Sequence, residues 1–479
     1  MEQNQGDAAT QSAVEAFYDE ADYWEVNTGG KTIHAKRIPG KWRTIKWITS
    51  SVWLIFFLGA YLRWDGRQAV LFDIPNRKFH IFGATILPQD LWMLSLVLLF
   101  FAILLAVATA LAGRVFCGFF CFQTVWTDIF TWLEEKLEGP PQKRRQLEQT
   151  PWDARKIRIK TIKHLAWIVI GILTGISFTA WFTDAWQLWK DIFTFSLHPA
   201  ALITILLFTA GTYFLAGFMR EQVCFWLCPY ARIQSAMVDR YTIIPAYDTK
   251  RGEPRGRLQK RKEGEPQPKL GDCIDCKQCV AVCPMGVDIR RGLQEGCIMC
   301  ALCIDACDQV MDKIHRPRGL IRYASLDELE TGQRLPLHKR VRVWVYSTIM
   351  LLAATGIVYG LSTLEALGLT VIHERQPLFV LESDGSIQNK YTLKVLNKSM
   401  QEVPVTIQVS GPPGAVLHGV KPSIILPPGE TSAIRIFVRI PRKELNMESV
   451  PIRFRIGSPE YPELSTEQES VFIGPKPTG

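Results

Sequence analysis

Five apolar stretches constrain this chain more than any other feature, because a helix of about 20 apolar residues is what a bilayer core requires. They run over residues 47–63, 91–112, 164–183, 200–218 and 344–364. The first is short and ends in Tyr61, Arg63, Trp64 and Asp65, so taken alone it would also suit a buried helix of a water-soluble domain. Five in one chain, with Trp47, Trp64, Trp92, Trp181 and Trp344 near their ends, instead predict a membrane α-helical bundle, since tryptophan favours the membrane interface.

Basic residues orient the spans. Lys31, Lys36, Arg37, Lys41, Arg43 and Lys46 precede the first span, and the loop 113–163 carries ten more, including Lys143, Arg144 and Arg145. The loop 184–199 has only Lys190. Lys and Arg stay on the cytoplasmic side, so the N-terminus and the 113–163 loop are expected inside and the 184–199 loop outside. The loop 64–90, with Arg67, Arg77 and Lys78, fits this pattern less cleanly. The formal charge of +9 is then topology-setting charge beside apolar runs, and nucleic acid is not an expected partner. Seven acidic residues precede Lys31, the opposite of a signal peptide's basic start, and no cleavage is expected.

The expected divisions follow: a cytoplasmic tail 1–46; four spans within 47–218; a cytoplasmic segment 219–343; a fifth span 344–364; and a periplasmic region 365–479. Residues 248–271, rich in Gly, Pro, Lys and Arg, read as an extended solvated linker. Beyond the last span, apolar residues alternate with polar ones, as in Tyr391, Leu393 and Val395, in Val403, Val405, Ile407 and Val409, in Ile434, Ile436, Val438 and Ile440, and in Ile452, Phe454 and Ile456. With turns at Gly411 to Gly414 and Pro427 to Gly429, about seven strands predict an immunoglobulin-like β-sandwich.

All twelve cysteines lie between Cys117 and Cys307, which is not how a disulfide framework is spread and points to metal or redox work in a reducing compartment. Eight of them form two consecutive Cys-x2-Cys-x2-Cys-x3-Cys runs: Cys273, Cys276, Cys279 and Cys283, then Cys297, Cys300, Cys303 and Cys307. In such a run three thiolates grip one [4Fe-4S] cubane and the fourth reaches the other cluster. One cluster would therefore take Cys273, Cys276, Cys279 and Cys307, and the other Cys297, Cys300, Cys303 and Cys283, within a ferredoxin-like segment at about 265–315. Zinc is the alternative for four cysteines, and the doubled eight-cysteine spacing argues against it. Pro284 follows the first fourth cysteine but Asp308 follows the second, and a carboxylate near a cluster would lower its potential.

The other four cysteines form two Cys-x3-Cys pairs, Cys117 with Cys121 past the second span and Cys224 with Cys228 past the fourth. Spacing of i,i+4 would put each pair on one helical face at the same membrane end. A dithiol couple, a third metal or cluster site, and a soft site suited to Cu(I) all remain open, beside the plain reading of buried cysteine as an apolar filler. His164 and His198 lie at opposite membrane ends, which leaves a bis-histidine haem unsupported; no dinucleotide fingerprint is present either. The outer domain's His373, Met400, His418 and Met447 are scattered and offer no copper site.

Along most of its length the chain resembles the FixG/CcoG (RdxA) family of cytochrome c oxidase accessory proteins. The resemblance is carried by FCGFFCFQTVWTD, VCFWLCPYARIQSAM, RGEPRG, the double motif ending IDACDQVMDK, and ERQPLFVLESDGSIQNKYTLKVLNKS. One departure is Phe122, where the family's first pair has proline. The resemblance implies reduction of Cu(II) to Cu(I) for maturation of a cbb3-type oxidase in the bacterial inner membrane, with copper as substrate. It also implies oxidase assembly factors or copper chaperones as partners. The electron donor is not identified by the sequence, and a homodimer is left open. Cys117, Cys121, Cys224 and Cys228 are the candidate catalytic residues. Two rival readings are a quinol-oxidising membrane ferredoxin subunit feeding a terminal reductase, and a non-enzymatic assembly scaffold with structural clusters.

Overall fold

The structure, a computed structural model, describes residues 14–21, 24, 26, 33–86, 91–258, 270–363, 366–399, 401–445 and 447–475. Lys31, Met400 and the central part of the basic linker, 259–269, lie outside the described residues. The chain divides into two units, Met1–Ala60 with Leu94–Thr355, and Tyr61–Met93 with Gly356–Gly479.

Five helices among the described residues are long and apolar enough to cross a membrane: Lys41–Tyr61, Trp92–Ala112, Ala154–Thr179, Pro199–Met219 and Val341–Ser362. The first is two helices in tandem, Lys41–Ser50 and Trp53–Leu58. The third starts at Ala154, ten residues before its apolar run, because Asp153 caps it by accepting from the Lys156 N–H at 2.7 Å. Its polar first turns also have partners, since Lys160 and Lys163 pair with Glu138 at 2.9 and 2.8 Å. Hydropathy sees only the part of a helix that meets lipid. The third and fourth spans approach closely at Gly175, where a Cβ would fall 2.6 Å from the Ile205 carbonyl oxygen, so a small residue sets their separation.

The cysteine-rich segment is closed at its base by an antiparallel pair, Ile244–Tyr247 with Ile321–Ala324, in which Ile244 faces Ala324 and Tyr247 faces Ile321. Two helices, Gln278–Ala281 and Leu302–Lys313, lie between these strands in the chain. The linker is not extended at its ends. Asp248 caps a short helix Thr249–Gly252, Arg251 pairs with Asp272 at 2.5 Å, and the Gly271 N–H donates to the Pro254 carbonyl at 2.9 Å. Lys41–Ser50 begins at Gly40, which brings no capping side chain of its own. Asp305 of the cysteine-rich segment supplies the cap, accepting from the N–H groups of Trp42 and Arg43 at 3.1 and 2.9 Å.

After the fifth span nine strands among the described residues form two antiparallel sheets. Ser386–Asn397 and Thr431–Pro441 are the central pair of one, and Val403–Ser410 and Ser449–Gly457 of the other. The alternation read from the sequence is the burial pattern: Tyr391, Leu393, Val395, Val405, Ile436, Val438, Ile440, Phe454 and Ile456 are fully buried between the sheets. Two more strands than the expected seven are present, and three of the nine, Val380–Leu381, Val416–His418 and Ile424–Leu426, are too short to show alternation. The stretch between the first two spans is also not a plain loop. Val70–Asp73, Lys78–Ile81 and Ala84–Ile86 form a three-stranded sheet, and Arg63–Trp64 pairs with Arg67–Gln68 across Asp65 and Gly66, both at positive φ.

Candidate functional site

Each four-cysteine set brings its thiols around one hollow. Cys273, Cys276, Cys279 and Cys307 line the first with Ile274, Met311 and Ile321. Cys283, Cys297, Cys300 and Cys303 line the second, which Cys279 also borders. In each case the fourth cysteine of one run stands with the first three of the other. Among the described residues no three His, Cys, Asp or Glu side chains converge closely enough to hold a single metal ion. Zinc draws four sulfurs to ~2.3 Å of one point, whereas a cubane takes one thiolate at each of four separate irons. The thiol sets fit the cubane.

The local backbone suits the same group. In the first run Asp275 and Lys277 are left-handed, at φ 55° and 50°, and in the second Met299 and Ala301 are, at 56° and 62°. Residues with a Cβ meet a cost of roughly 1–2 kcal/mol there, and the same two positions meet it in both runs. Alternation of handedness turns successive N–H groups inward, a concavity that suits anions. Backbone N–H groups of Gln278 and Met299 accordingly approach the thiols of Cys276 and Cys297, and that of Ile321 approaches Cys307. Burial pushes the Cys276 and Cys297 thiols up to about 11 and that of Cys283 to about 12, so each stays protonated until a metal displaces its proton. The Pro284 and Asp308 difference has a structural cause. The first run's helix ends at Ala281, before Cys283, whereas the second continues through Cys307 to Lys313, where an interior proline would break it. Asp308 accepts from the Gly319 N–H at 2.9 Å.

Neither Cys-x3-Cys pair lies on a continuous helical face. Cys117 sits in the short helix Val115–Phe119 and Cys121 is the N-cap of Phe122–Glu138. Cys224 sits in the π turn Val223–Leu227 and Cys228 is the N-cap of Pro229–Met237. Both pairs thus straddle a helix break in the same way, which i,i+4 spacing alone conceals. Phe122 occupies the first helical position, as Pro229 does; proline is tolerated in that slot but not required. Its ring stacks on Trp126 with centroids 4.0 Å apart and meets Trp53 edge-on at 5.4 Å.

The structure brings the two pairs together. Charge on Cys121, Cys117 or Cys228 acts on Cys224, and charge on Cys121 or Cys228 acts on Cys117. Burial, reinforced by these neighbours, pushes Cys117 up to about 11 and Cys224 to about 12. Cys117 donates to Gln234 Oε1 at 3.0 Å, and the fully buried Gln234 in turn donates to Tyr230 and Thr109. The pairs also abut the second hollow. Cys117 shares a core with Cys297, Ile298, Met299 and Cys300, and Cys224 and Cys283 pack against it. A Cβ on Gly118 would lie 2.6 Å from the Ile298 carbonyl oxygen and 3.0 Å from the Cys300 N and Cα.

Two buried ion-pair networks beside this region were missed by the sequence reading, since charge in a loop says nothing of its partners. Asp128 meets Arg43 at 3.1 Å, Lys46 at 3.4 Å, and Arg37. Glu134 meets Arg220 at 2.6 Å, Arg144 at 3.2 Å and Lys163 at 3.3 Å. Burial raises both carboxyls, but the surrounding cations outweigh it, holding Glu134 at about 2 and Asp128 well below the usual range. Arg220 stands four residues before Cys224, at the break between the π turns Leu215–Met219 and Val223–Leu227, so this network anchors the chain just ahead of the second pair.

Residues 219–326 match the family described as "4Fe-4S dicluster domain". Residues 94–140 and 197–237, which contain both Cys-x3-Cys pairs, match "4Fe-4S binding domain". Residues 357–475 match the family of the "IG-like fold at C-terminal of FixG". Nitrogen fixation protein FixG of Rhizobium meliloti is 37% identical over 86% of this chain and 87% of its own length. Protein RdxA of Cereibacter sphaeroides is 42% identical over 82% of this chain and 84% of its own. A crystal structure of a FixG-related protein from Vibrio parahaemolyticus is 30% identical over 23% of this chain and 97% of that one, with a TM-score of 0.21. With relatives this similar along both chains, five membrane-length helices and two 4Fe-4S domain matches, the chain is a multi-pass membrane protein that belongs to the FixG/RdxA/RdxB family of iron-sulfur oxidoreductases.

Proposed function

We propose that the chain is an inner-membrane cupric reductase that supplies Cu(I) for assembly of a cbb3-type cytochrome c oxidase. The observation that carries this reading is the contact of the Cys117 and Cys224 pairs with the Cys297–Cys303 loop, seen most directly at Gly118. Cys273, Cys276, Cys279 and Cys307 would hold one [4Fe-4S] cluster, and Cys283, Cys297, Cys300 and Cys303 the other. When bound, such clusters supply one-electron transfer. The apolar walls of both hollows keep water from the thiols, and the doubled left-handed turns aim N–H groups at them.

Cys117, Cys121, Cys224 and Cys228 are the candidate place where copper is met. Thiols favour Cu(I) over Cu(II), so a thiol-lined site helps the ion accept an electron. The balance is one electron per ion: Cu(II) leaves as Cu(I), and a reduced one-electron donor, the partner still to be found, is oxidised. Positive charge at Lys36, Arg37 and the 113–163 loop favours a cytoplasmic N-terminus and cysteine segment, with 365–479 in the periplasm, where a sandwich domain suits docking of assembly factors or copper chaperones.

The test is reduction of Cu(II) by the anaerobically purified full chain after its iron-sulfur absorbance has been bleached with dithionite and excess reductant removed. A Cu(I)-specific chelator should develop colour as the absorbance returns, one Cu(I) per electron. Return of the absorbance without Cu(I) formation would remove copper as the substrate.

A further inference from the structure

Arg114 follows the second span and is only 3% exposed. Its neighbours in burial are balanced by carboxylates, Arg220 by Glu134 and Arg43 by Asp128. Arg114 is held differently. Its Nη1 donates to the Glu295 carbonyl, its backbone N–H reaches Met299 Sδ at 2.9 Å, its guanidinium also donates toward the Cys117 thiol, and no carboxylate among the described residues pairs with it. Together with Cys224, Cys297 and Met299 it lines an open cavity of about 440 Å³. Its charge acts on the thiols of Cys117, Cys224 and Cys297. A buried guanidinium with no carboxylate beside it is costly, unless negative charge arrives next to it.

We propose that Arg114 is a positioning residue shared by the two cysteine centres: its guanidinium, seated between the Cys297 loop and the Cys117 and Cys224 thiols, favours the added electron on either side. Four thiolates make an iron-sulfur centre anionic, and each electron adds negative charge. A fixed, buried cation therefore favours the reduced form. Because it faces both centres, it aligns their potentials and keeps transfer between them from running steeply uphill. This rests on the reading of Cys283, Cys297, Cys300 and Cys303 as cluster ligands.

The experiment is an EPR-monitored redox titration of the full chain in detergent, for wild type, Arg114→Gln and Arg114→Lys, with iron and sulfide counted in each. The expected result is that Arg114→Gln makes reduction of the centre held by Cys283, Cys297, Cys300 and Cys303 about tenfold less favourable, a fall of ~59 mV for one electron. The centre held by Cys273, Cys276, Cys279 and Cys307 stays unmoved, and Arg114→Lys keeps most of the wild-type potential. Loss of iron in Arg114→Gln that Arg114→Lys restores supports the same charge requirement. Unchanged potentials, equal shifts of both centres, or a Lys variant that behaves like the Gln variant in potential or iron content would each overturn it. The titration reads the proximal centre whether or not copper meets the four outer thiols, so failure of the cupric reading and failure of this inference are separate results. Absence of clusters from the wild type would show in the iron counts as failure of the ligand reading.

Discussion

Gly118 lies against the backbone of Cys300, so closely that a Cβ would fall 3.0 Å from its N and Cα. One residue from the first membrane-side pair thus touches one of the proposed cluster ligands, with no side chain between.

Gly118→Ala should separate these surfaces. The added methyl would also meet the Ile298 carbonyl oxygen at 2.6 Å, and both obstacles are backbone. Overpacking of this kind costs about 1–3 kcal/mol. The expected outcome is a lowered melting temperature and slowed cupric reduction, with the Cys273 centre intact by EPR. Unaltered stability and rate in Gly118→Ala would contradict the tight contact.

Ligand crossing is testable by grouping variants. Cys307→Ala should remove the same EPR signal as Cys273→Ala, and Cys283→Ala the same as Cys297→Ala, because those thiols share hollows. Intact protein should carry at least about eight iron and eight labile sulfide. If Cys307→Ala instead groups with Cys297→Ala, the crossing is wrong.

Asp305 ties the cysteine segment to the first span through the Trp42 and Arg43 N–H groups. Losing such a cap costs about 0.5–2 kcal/mol. Asp305→Ala should lower the unfolding free energy by that amount, read as a lowered melting temperature, while Asp305→Asn, which keeps one acceptor oxygen, should lose less. Equal losses in the two variants would argue against capping.

Stability should fall on acidification in two windows. Burial, with Arg144 and Arg220 nearby, lowers His34 to about 4, so an unfolded chain takes up a proton below its usual value near 6.5 that the folded chain refuses. That contribution is present above pH ~6.5 and is lost as pH falls toward 4. Glu134, held at about 2, adds stability that is full above pH ~4.5 and is lost as pH falls toward 2. Melting curves of His34→Gln should flatten the first window alone. Glu134→Gln strands Arg220, Arg144 and Lys163, and a cost of about 3–5 kcal/mol at neutral pH is expected.

Much of this was legible in the sequence, and the reason is periodicity and spacing. Tyr391, Leu393 and Val395 alternate because one sheet face is buried, and Cys273 to Cys307 repeat a spacing from which the proposed crossing is read. Features that depend on distant partners were not legible. Nothing near Asp305 announces the N-terminus it caps, and Glu134 gives no sign of Arg220. The Cys117 and Cys224 pairs looked like helical faces because i,i+4 spacing is silent about a helix break, and the strands at 63–86 were hidden by their shortness and by the charges among them.

The most direct test of the central claim is cupric reduction by the full chain with Cys117, Cys121, Cys224 and Cys228 all replaced by serine, after iron and sulfide counts and EPR show the two ferredoxin-type centres present. The predicted result is a dithionite-reducible protein that no longer converts Cu(II) to Cu(I). Copper reduction at the wild-type rate in that variant would contradict the assignment of these four thiols.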